Sequence, residues 1–119
     1  MVWISVCATE SLTPGRGVCA LVEGEQVAVF LLESGEVFAF GNRDPFSGTY
    51  VMSRGLIGSR GDEPIVVSPM FKQAFYIRTG VAVDDAAVRL DTYAARIQEG
   101  QLQLDTSMTA SENATSLTA

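Results

Sequence analysis

The sequence is organised around two loop-like segments, NRDPFSG at residues 42–48 and SPMFKQAF at residues 68–75. Each follows an apolar, strand-like run, and the second leads through residues 76–80 to a Thr-Gly pair, so the two segments predict paired turns on one β scaffold. Loops held on such a scaffold often carry the functional residues of a domain. The whole sequence contains no histidine and neither segment contains a cysteine, which argues against a metal site between them.

The composition is that of a single acidic globular domain. A chain of 119 residues suffices for one hydrophobic core, and 47% apolar with 18% charged residues lies in the globular range. The 14 acidic and 8 basic residues give a net charge of −6, and the basic ones are scattered, which argues against a nucleic-acid partner. The apolar run at residues 27–32 is too short to span a membrane, and residues 1–5 lack a secretory-signal pattern. We therefore expect a cytoplasmic protein with no membrane segment.

Apolar and β-branched runs predict an all-β fold. Residues 26–32 are apolar enough to be covered on both faces of a sheet. Ser34 and Gly35 join this run to residues 36–40, and two turn residues between two strand patterns predict a tight hairpin. Further strands are predicted over residues 3–8, 17–22 and 64–67.

A second hairpin is predicted near the end of the domain. Residues 93–97 and 101–104 alternate with a period of two around Glu99 and Gly100. Residues 85–90 are less distinctive, because their alanines fit either one helical turn or a β connection. The sequence leaves these two alternatives open.

The remaining residues of the chain divide into a domain and a tail. Residues 1–105 contain all the predicted strands, whereas half of residues 106–119 are Ser or Thr and none is aromatic. Such a segment buries too little surface to offset its ordering entropy, so we expect a disordered tail. Cys7 and Cys19 each lie alone in an apolar run and are predicted to be buried thiols, although a disulfide between neighbouring strands stays geometrically possible.

The composition also excludes several kinds of catalysis. Without histidine, the Ser-His-Asp and Cys-His nucleophile systems and the commonest zinc sites are absent. The acidic residues near the two segments are Asp44, Asp62 and Glu63, and they do not form an evident acid-base pair. No Gly-rich turn leads from a strand into a helix to hold phosphate. We therefore predict no catalytic residues.

The two segments resemble the cluster-binding loops of Rieske [2Fe-2S] domains, which carry a Cys-x-His and a Cys-x-x-His motif. Residues 37–43 are similar to the strand that enters the first loop, and residues 75–80 to the exit strand that ends in Thr-Gly. The resemblance implies an all-β Rieske-like fold. At the four ligand positions this sequence has Asp44, Phe46, Ser68 and Phe71.

Because a Rieske cluster needs two thiolates and two imidazoles, the resemblance implies a Rieske-like domain that binds no cluster. We expect Phe46 and Phe71 to fill the space of the imidazoles and the iron by aromatic packing. Core packing of these two rings is favoured over an exposed patch that faces a partner.

One branch of the superfamily has lost the ligands in this way, the small subunits of assimilatory NAD(P)H-dependent nitrite reductases. The resemblance to this branch implies an accessory subunit. Its partner is then a large subunit that carries FAD, an iron-sulfur cluster and sirohaem and reduces nitrite to ammonia. The similarity runs over residues 3–104 and is carried by an ordered set of segments at residues 17–21, 26–30, 42–47, 53–58 and 68–73.

Five polar residues in or beside the loops are candidates for contact with a partner: Arg43, Asp44, Arg54, Lys72 and Gln73. We expect Arg43 and Asp44 at an exposed loop, where solvated charges are as plausible as a docking role. Lys72 and Gln73 lie between two phenylalanines at a predicted loop tip. Asn42 and Ser47 are predicted to hold the first loop through hydrogen bonds with its backbone.

Two other functions fit a Rieske-like fold. A free-standing electron carrier is disfavoured because the cluster ligands are missing. A stand-alone binding or regulatory module remains an alternative, in which Phe46, Phe71 and Lys72 would line a small-molecule pocket.

Overall fold

The computed structural model describes residues 3–105, so the predicted disorder of residues 106–119 lies outside the described residues. Within that range the chain forms β-strands, all paired in an antiparallel manner, and two short 3-10 helices at Thr9–Ser11 and Met52–Arg54. The predicted all-β class is therefore confirmed. No helix in this range is long and apolar enough to cross a membrane. The strands are β1 (Trp3–Ala8), β2 (Val18–Val22), β3 (Glu25–Leu31), β4 (Val37–Gly41), β5 (Leu56–Arg60), β6 (Glu63–Val67), β7 (Ala74–Tyr76), β8 (Val81–Ala82), β9 (Asp85–Arg89), β10 (Thr92–Tyr93), β11 (Ala95–Gln98) and β12 (Gln101–Asp105).

The strands form three sheets with two hydrophobic clusters between them. The sheets have the strand orders β1-β12-β11, β10-β4-β3-β2 and β5-β6-β7-β8-β9. One cluster joins the four-stranded sheet to the five-stranded sheet and includes Phe30, Phe40 and Phe75. The other joins it to the three-stranded sheet and includes Val29 and Leu104. The four-stranded sheet therefore lies between two cores.

Strand β3 explains how one sheet serves both cores. Successive side chains of a strand point to opposite faces, so Val27 and Val29 contribute to one cluster while Ala28 and Phe30 contribute to the other. All four residues have 0% exposure, which confirms the predicted burial on both faces. The Phe30 ring stacks on Phe40 of β4 with 5.6 Å between centroids.

Both predicted hairpins are present. Strands β3 and β4 are joined across a short turn in which the backbone N–H of Leu32 donates to the carbonyl of Glu36 at 2.8 Å. Gly35 has a φ of 94°, a conformation that glycine adopts without a Cβ penalty. The turn thus contains three residues, Glu33 as well as the predicted Ser34 and Gly35.

The closing hairpin joins β11 to β12 through Glu99 and Gly100, both with positive φ as a type I′ turn requires. Tyr93, predicted as part of this hairpin, instead lies in β10 and pairs with Ala39 of β4. Of the two alternatives for residues 85–90, the β connection holds, because Asp85–Arg89 forms β9.

The cysteine prediction is half wrong. Both thiols are free, and Cys7 is half-buried, where burial raises the pKa of its thiol, but Cys19 is exposed. The alternation along β2 accounts for this, since Ala20 and Val22 are buried and Cys19 therefore lies on the opposite, outer face.

Gly17, just before β2, provides a test of how closely the sheets pack. A Cβ at this position would lie 2.6 Å from the Phe30 ring and would also meet the carbonyl oxygen of Ser53. We expect Gly17→Ala to lower the free energy of unfolding by about 1–3 kcal/mol in urea titrations. The matched control is Gly58→Ala, whose Cβ would meet Ile65 at an ordinary 3.6 Å, and we expect its effect to stay within about 0.5 kcal/mol. Equal stabilities of the two variants would contradict this packing.

Candidate functional site

Two loops leave the sheets side by side. Loop 1 (residues 42–50) follows β4, and loop 2 (residues 68–73) follows β6. Loop 1 is closed by a bond of 2.8 Å from the Asp44 N–H to the Thr49 carbonyl. Loop 2 is closed by a bond of 2.9 Å from the Ser68 N–H to the Gln73 carbonyl. Each loop is therefore a closed turn with its own backbone bond at the base.

A buried hydrogen bond joins the two loops. The Ser68 hydroxyl donates to Oδ2 of Asp44 at 2.6 Å, and both residues have 0% exposure. Oδ1 of Asp44 accepts from the backbone N–H of Phe46 at 2.8 Å and from that of Ser47 at 3.4 Å. The Asp44 carboxyl group thus holds its own loop and the neighbouring loop at once. We call this pair of residues the Asp44–Ser68 clamp.

Asn42 attaches loop 1 to the sheet beneath it. The side chain is 2% exposed, its Nδ2 donates to Oε1 of Gln26 at 3.0 Å, and its Oδ1 accepts from the Ser53 N–H at 2.7 Å. The Ser47 hydroxyl accepts from the Thr49 N–H at 3.2 Å. Ser47 therefore bonds the backbone of loop 1 as predicted. The Asn42 side chain instead bonds groups outside loop 1, and it ties the loop to β3 and to the 3-10 helix at Met52–Arg54.

The two phenylalanines at ligand positions have different environments. Phe46 is half-buried against the core, with its ring centroid 5.7 Å from that of Phe75. Phe71 is 61% exposed, so the expectation that both rings fill the space between the loops is wrong for Phe71. The physical reason is that Phe75 of β7, fully buried, already supplies the second ring of that core. Ser68, rather than Phe71, is the inward-facing residue of loop 2.

The predicted contact residues also separate into two groups. Arg43, Arg54 and Lys72 are exposed, and within residues 3–105 none of them forms an ion pair. Gln73 is half-buried, and its carbonyl closes loop 2. Asp44 was expected at an exposed position, but it is fully buried because its carboxyl group bonds within the protein. It therefore leaves the set of candidate contact residues.

Exposed apolar side chains beside the loops were not predicted. Tyr50, Leu56 and Met70 are 54%, 72% and 44% exposed. The backbone of Tyr50 forms an isolated antiparallel β-bridge with that of Arg43 in loop 1. Leu56 pairs with Val67, the residue before loop 2. Their apolar character was evident in the sequence. For Leu56, strand alternation alone does not show which face of a short strand is covered, and Tyr50 and Met70 lie in the loops, where no alternation applies. We call the exposed residues Arg43, Tyr50, Arg54, Leu56, Met70, Phe71 and Lys72 the loop-end surface.

The ligand positions do not fit a Rieske cluster. Both carboxyl oxygens of Asp44 and the hydroxyl of Ser68 are engaged with each other or with backbone N–H groups. Neither Phe46 nor Phe71 has an atom that binds iron, and the sequence offers no histidine to replace them.

A cleft of about 340 Å³ lies elsewhere, at the turn between β3 and β4 and the turn between β5 and β6. It is not lined by Phe46, Phe71 or Lys72, the residues of the predicted small-molecule pocket. At its rim Arg78 binds Glu36 through two bonds of 2.7 and 3.1 Å. The hydrogen bond from Arg78 lowers the pKa of Glu36, and the pair joins two sheets at the surface.

Comparison with known proteins identifies the family of the chain. Residues 2–105 match the model of the Rieske-like [2Fe-2S] domain family. The nitrite reductase (NADH) small subunit of Salmonella typhimurium is 43% identical over 103 residues, which cover 86% of this chain and 95% of the relative. The solution structure of the Escherichia coli protein NirD has a TM-score of 0.80 at 40% identity and covers 87% of this chain and 94% of that one.

A further relative is a longer protein. The nitrite reductase [NAD(P)H] large subunit of Klebsiella oxytoca is 31% identical over 100 residues, which cover 84% of this chain but 10% of that protein. A segment similar to the present domain therefore occurs inside a large-subunit chain.

The Asp44–Ser68 clamp can be tested by stability measurements. Ser68→Ala removes the hydroxyl and leaves the buried Oδ2 of Asp44 without a partner, so we expect the free energy of unfolding to fall by about 1–3 kcal/mol. Ser47→Ala, which removes a half-exposed hydroxyl of loop 1, is the control and should cost less than about 1 kcal/mol.

A double-mutant cycle with Asp44→Ala, which removes both carboxyl oxygens, isolates the coupling between the two side chains. We expect a coupling energy of about 0.5–3 kcal/mol between positions 44 and 68. Additive effects of the two substitutions would show that the clamp does not stabilise the fold.

Proposed function

The chain belongs to the Rieske-like [2Fe-2S] domain family and, within it, to the nitrite reductase small subunits, and on this basis we propose how it works. Its partner is the large subunit of nitrite reductase. We propose that it is an accessory subunit that supports reduction of nitrite to ammonia by that partner and holds no cluster of its own. The observation that carries this proposal is the Asp44–Ser68 clamp, which occupies two of the four ligand positions with groups that bond each other.

The proposed division of labour follows from chemistry. A chain without thiolate or imidazole at the cluster positions has no ligands there to hold a cluster that carries an electron. Nitrite reduction then depends on cofactors of the large subunit, which we propose to be FAD, sirohaem and an iron-sulfur cluster. The small subunit contributes by binding and orienting. The similarity to part of the Klebsiella large-subunit chain supports a shared task, because a domain inside the same chain stays at high effective concentration beside the catalytic part.

We propose that the loop-end surface makes the contact. Arg43, Arg54, Lys72 and the neighbouring Gln73 lie on or beside it. In residues 42–56 and 68–73 the one acidic residue is Asp44, which is buried, so the exposed charge of these segments is positive in a chain of net charge −6. A concentration of one charge sign fits a partner surface of the opposite sign and speeds association. We place the complex in the cytoplasm.

Capture of the partner tests the function. We expect the tagged, full-length chain to retain the nitrite reductase large subunit from cells grown on nitrate. After the two are separated, we expect the small subunit to contain far less than one iron per chain and to lack visible absorption, because its loops offer no cluster ligands.

Two results would contradict this proposal. Stoichiometric iron with the absorption bands of a [2Fe-2S] cluster would restore the electron-carrier function. Failure to retain the large subunit would favour the stand-alone binding module. A Rieske ferredoxin treated in parallel shows that the purification preserves clusters.

Charge reversal tests the basic residues. We expect Arg43→Glu, Arg54→Glu and Lys72→Glu each to weaken binding to the purified large subunit about 3- to 30-fold at low salt, and less at high salt, because charge screening grows with ionic strength. Arg60→Glu is the matched control, since Arg60 is exposed at the opposite end of β5 from Leu56, and its effect should stay within about twofold. Equal effects of all four variants would point to net charge rather than to a docking surface.

A further inference from the structure

The loop-end surface has an apolar centre as well as basic residues. Four of the six large apolar side chains that are exposed in residues 3–105 belong to it, namely Tyr50, Leu56, Met70 and Phe71. Single exposed apolar residues are ordinary, whereas a group that shares one end of a domain marks an interaction site. Phe71 is 61% exposed and is the one phenylalanine described as exposed in that range.

Loop 2 presents Met70 and Phe71 in a fixed form. Its base is closed by the bond between the Ser68 N–H and the Gln73 carbonyl, and the Ser68 hydroxyl accepts from the Met70 N–H at 3.3 Å while it donates to Asp44. Lys72 adopts a φ of 58°, an uncommon conformation for a residue with a side chain. A loop that is closed at its base and bonded to its neighbour loses little freedom when a partner covers its tip.

We propose that Met70 and Phe71 are the hydrophobic anchor of the interface with the large subunit, held outward by the Asp44–Ser68 clamp. This inference rests on the proposed function. We expect the surface that receives the anchor to be an apolar pocket bordered by carboxylates, because the same loop-end surface carries the exposed cations Arg43, Arg54 and Lys72. A buried aromatic at the centre of an interface with charged residues at its rim is the arrangement in which few residues carry most of the binding energy.

Charge favours the large subunit as the partner of this surface over two alternatives, a second copy of the chain and an anionic membrane. In a symmetric dimer of this chain the same surface would face itself, and the three cations would approach three cations. An anionic membrane would attract the basic residues of this surface but repel the rest of a chain with a net charge of −6. A protein surface with local carboxylates meets neither difficulty.

Binding of purified large subunit to variants of the full chain tests the anchor. We expect Phe71→Ser to weaken binding about tenfold or more and Met70→Ser by a smaller factor, while Phe71→Leu keeps most of the affinity. Ile97→Ser is the matched control, because Ile97 is 39% exposed on β11 and lies outside the loop-end surface, and its affinity should stay within about twofold of the natural chain. We expect Phe71→Ser to unfold at nearly the same temperature as the natural chain, because Phe71 is 61% exposed, and binding of every variant is measured well below its own unfolding temperature.

The outcomes separate the inference from the proposed function. If the natural chain binds the large subunit and Phe71→Ser and Met70→Ser bind equally well, the anchor is wrong and the proposed function stands. If the natural chain does not bind, both are wrong. The free chain is also run in analytical ultracentrifugation and mixed with phosphatidylglycerol vesicles. Dimerisation or vesicle binding that Phe71→Ser abolishes would assign the surface to another occupant and overturn the inference.

Discussion

The hydrogen bond between Ser68 and Asp44 determines how the rest of the loop end is arranged. It joins two residues that are 24 positions apart, and it does so where neither group meets water. A buried polar atom without a partner is costly, so each residue fixes the position of the other. With Ser68 held inward, the loop that follows it closes on itself, and its tip faces outward. The exposure of Phe71 is a consequence of this geometry rather than an isolated property of one side chain.

The two cores beneath the loops make that arrangement possible. The four-stranded sheet is buried on both faces, and β4 of that sheet delivers loop 1 while β6 of the five-stranded sheet delivers loop 2. Because Phe46 and Phe75 belong to the hydrophobic cluster that joins these two sheets, the distance between the loops is set by core packing as well as by the clamp. Asn42 adds a third connection, to β3.

The parts of this structure that follow from local patterns could be predicted. Apolar runs and turn residues predicted three features of the fold. These are strand β3, the turns at Gly35 and Gly100, and the position of both loops. The resemblance to Rieske loops placed Asp44 and Ser68 at two cluster-ligand positions. It did not show that the two side chains form a hydrogen bond, because that contact joins distant parts of the sequence. It also led to the prediction that the Phe71 side chain packs inward, which is wrong, since this side chain is 61% exposed. A ligand motif fixes where a residue stands in sequence, whereas exposure depends on what already fills the core, here Phe75.

The structure also suggests how both loops are held in a domain whose ligand positions carry Asp44, Phe46, Ser68 and Phe71. A cluster cross-links its loops through four metal-ligand bonds, and a single hydrogen bond contributes only about 1–3 kcal/mol in its place. The clamp alone is therefore a weak substitute, and the remaining restraint comes from Phe46 against Phe75 and from the bonds of Asn42. All of these contacts are made by side chains and backbone groups of the chain itself. A surface that is shaped in this way suits a subunit whose task is to be recognised, and Arg43, Phe71 and Lys72 on it need no chemistry of their own.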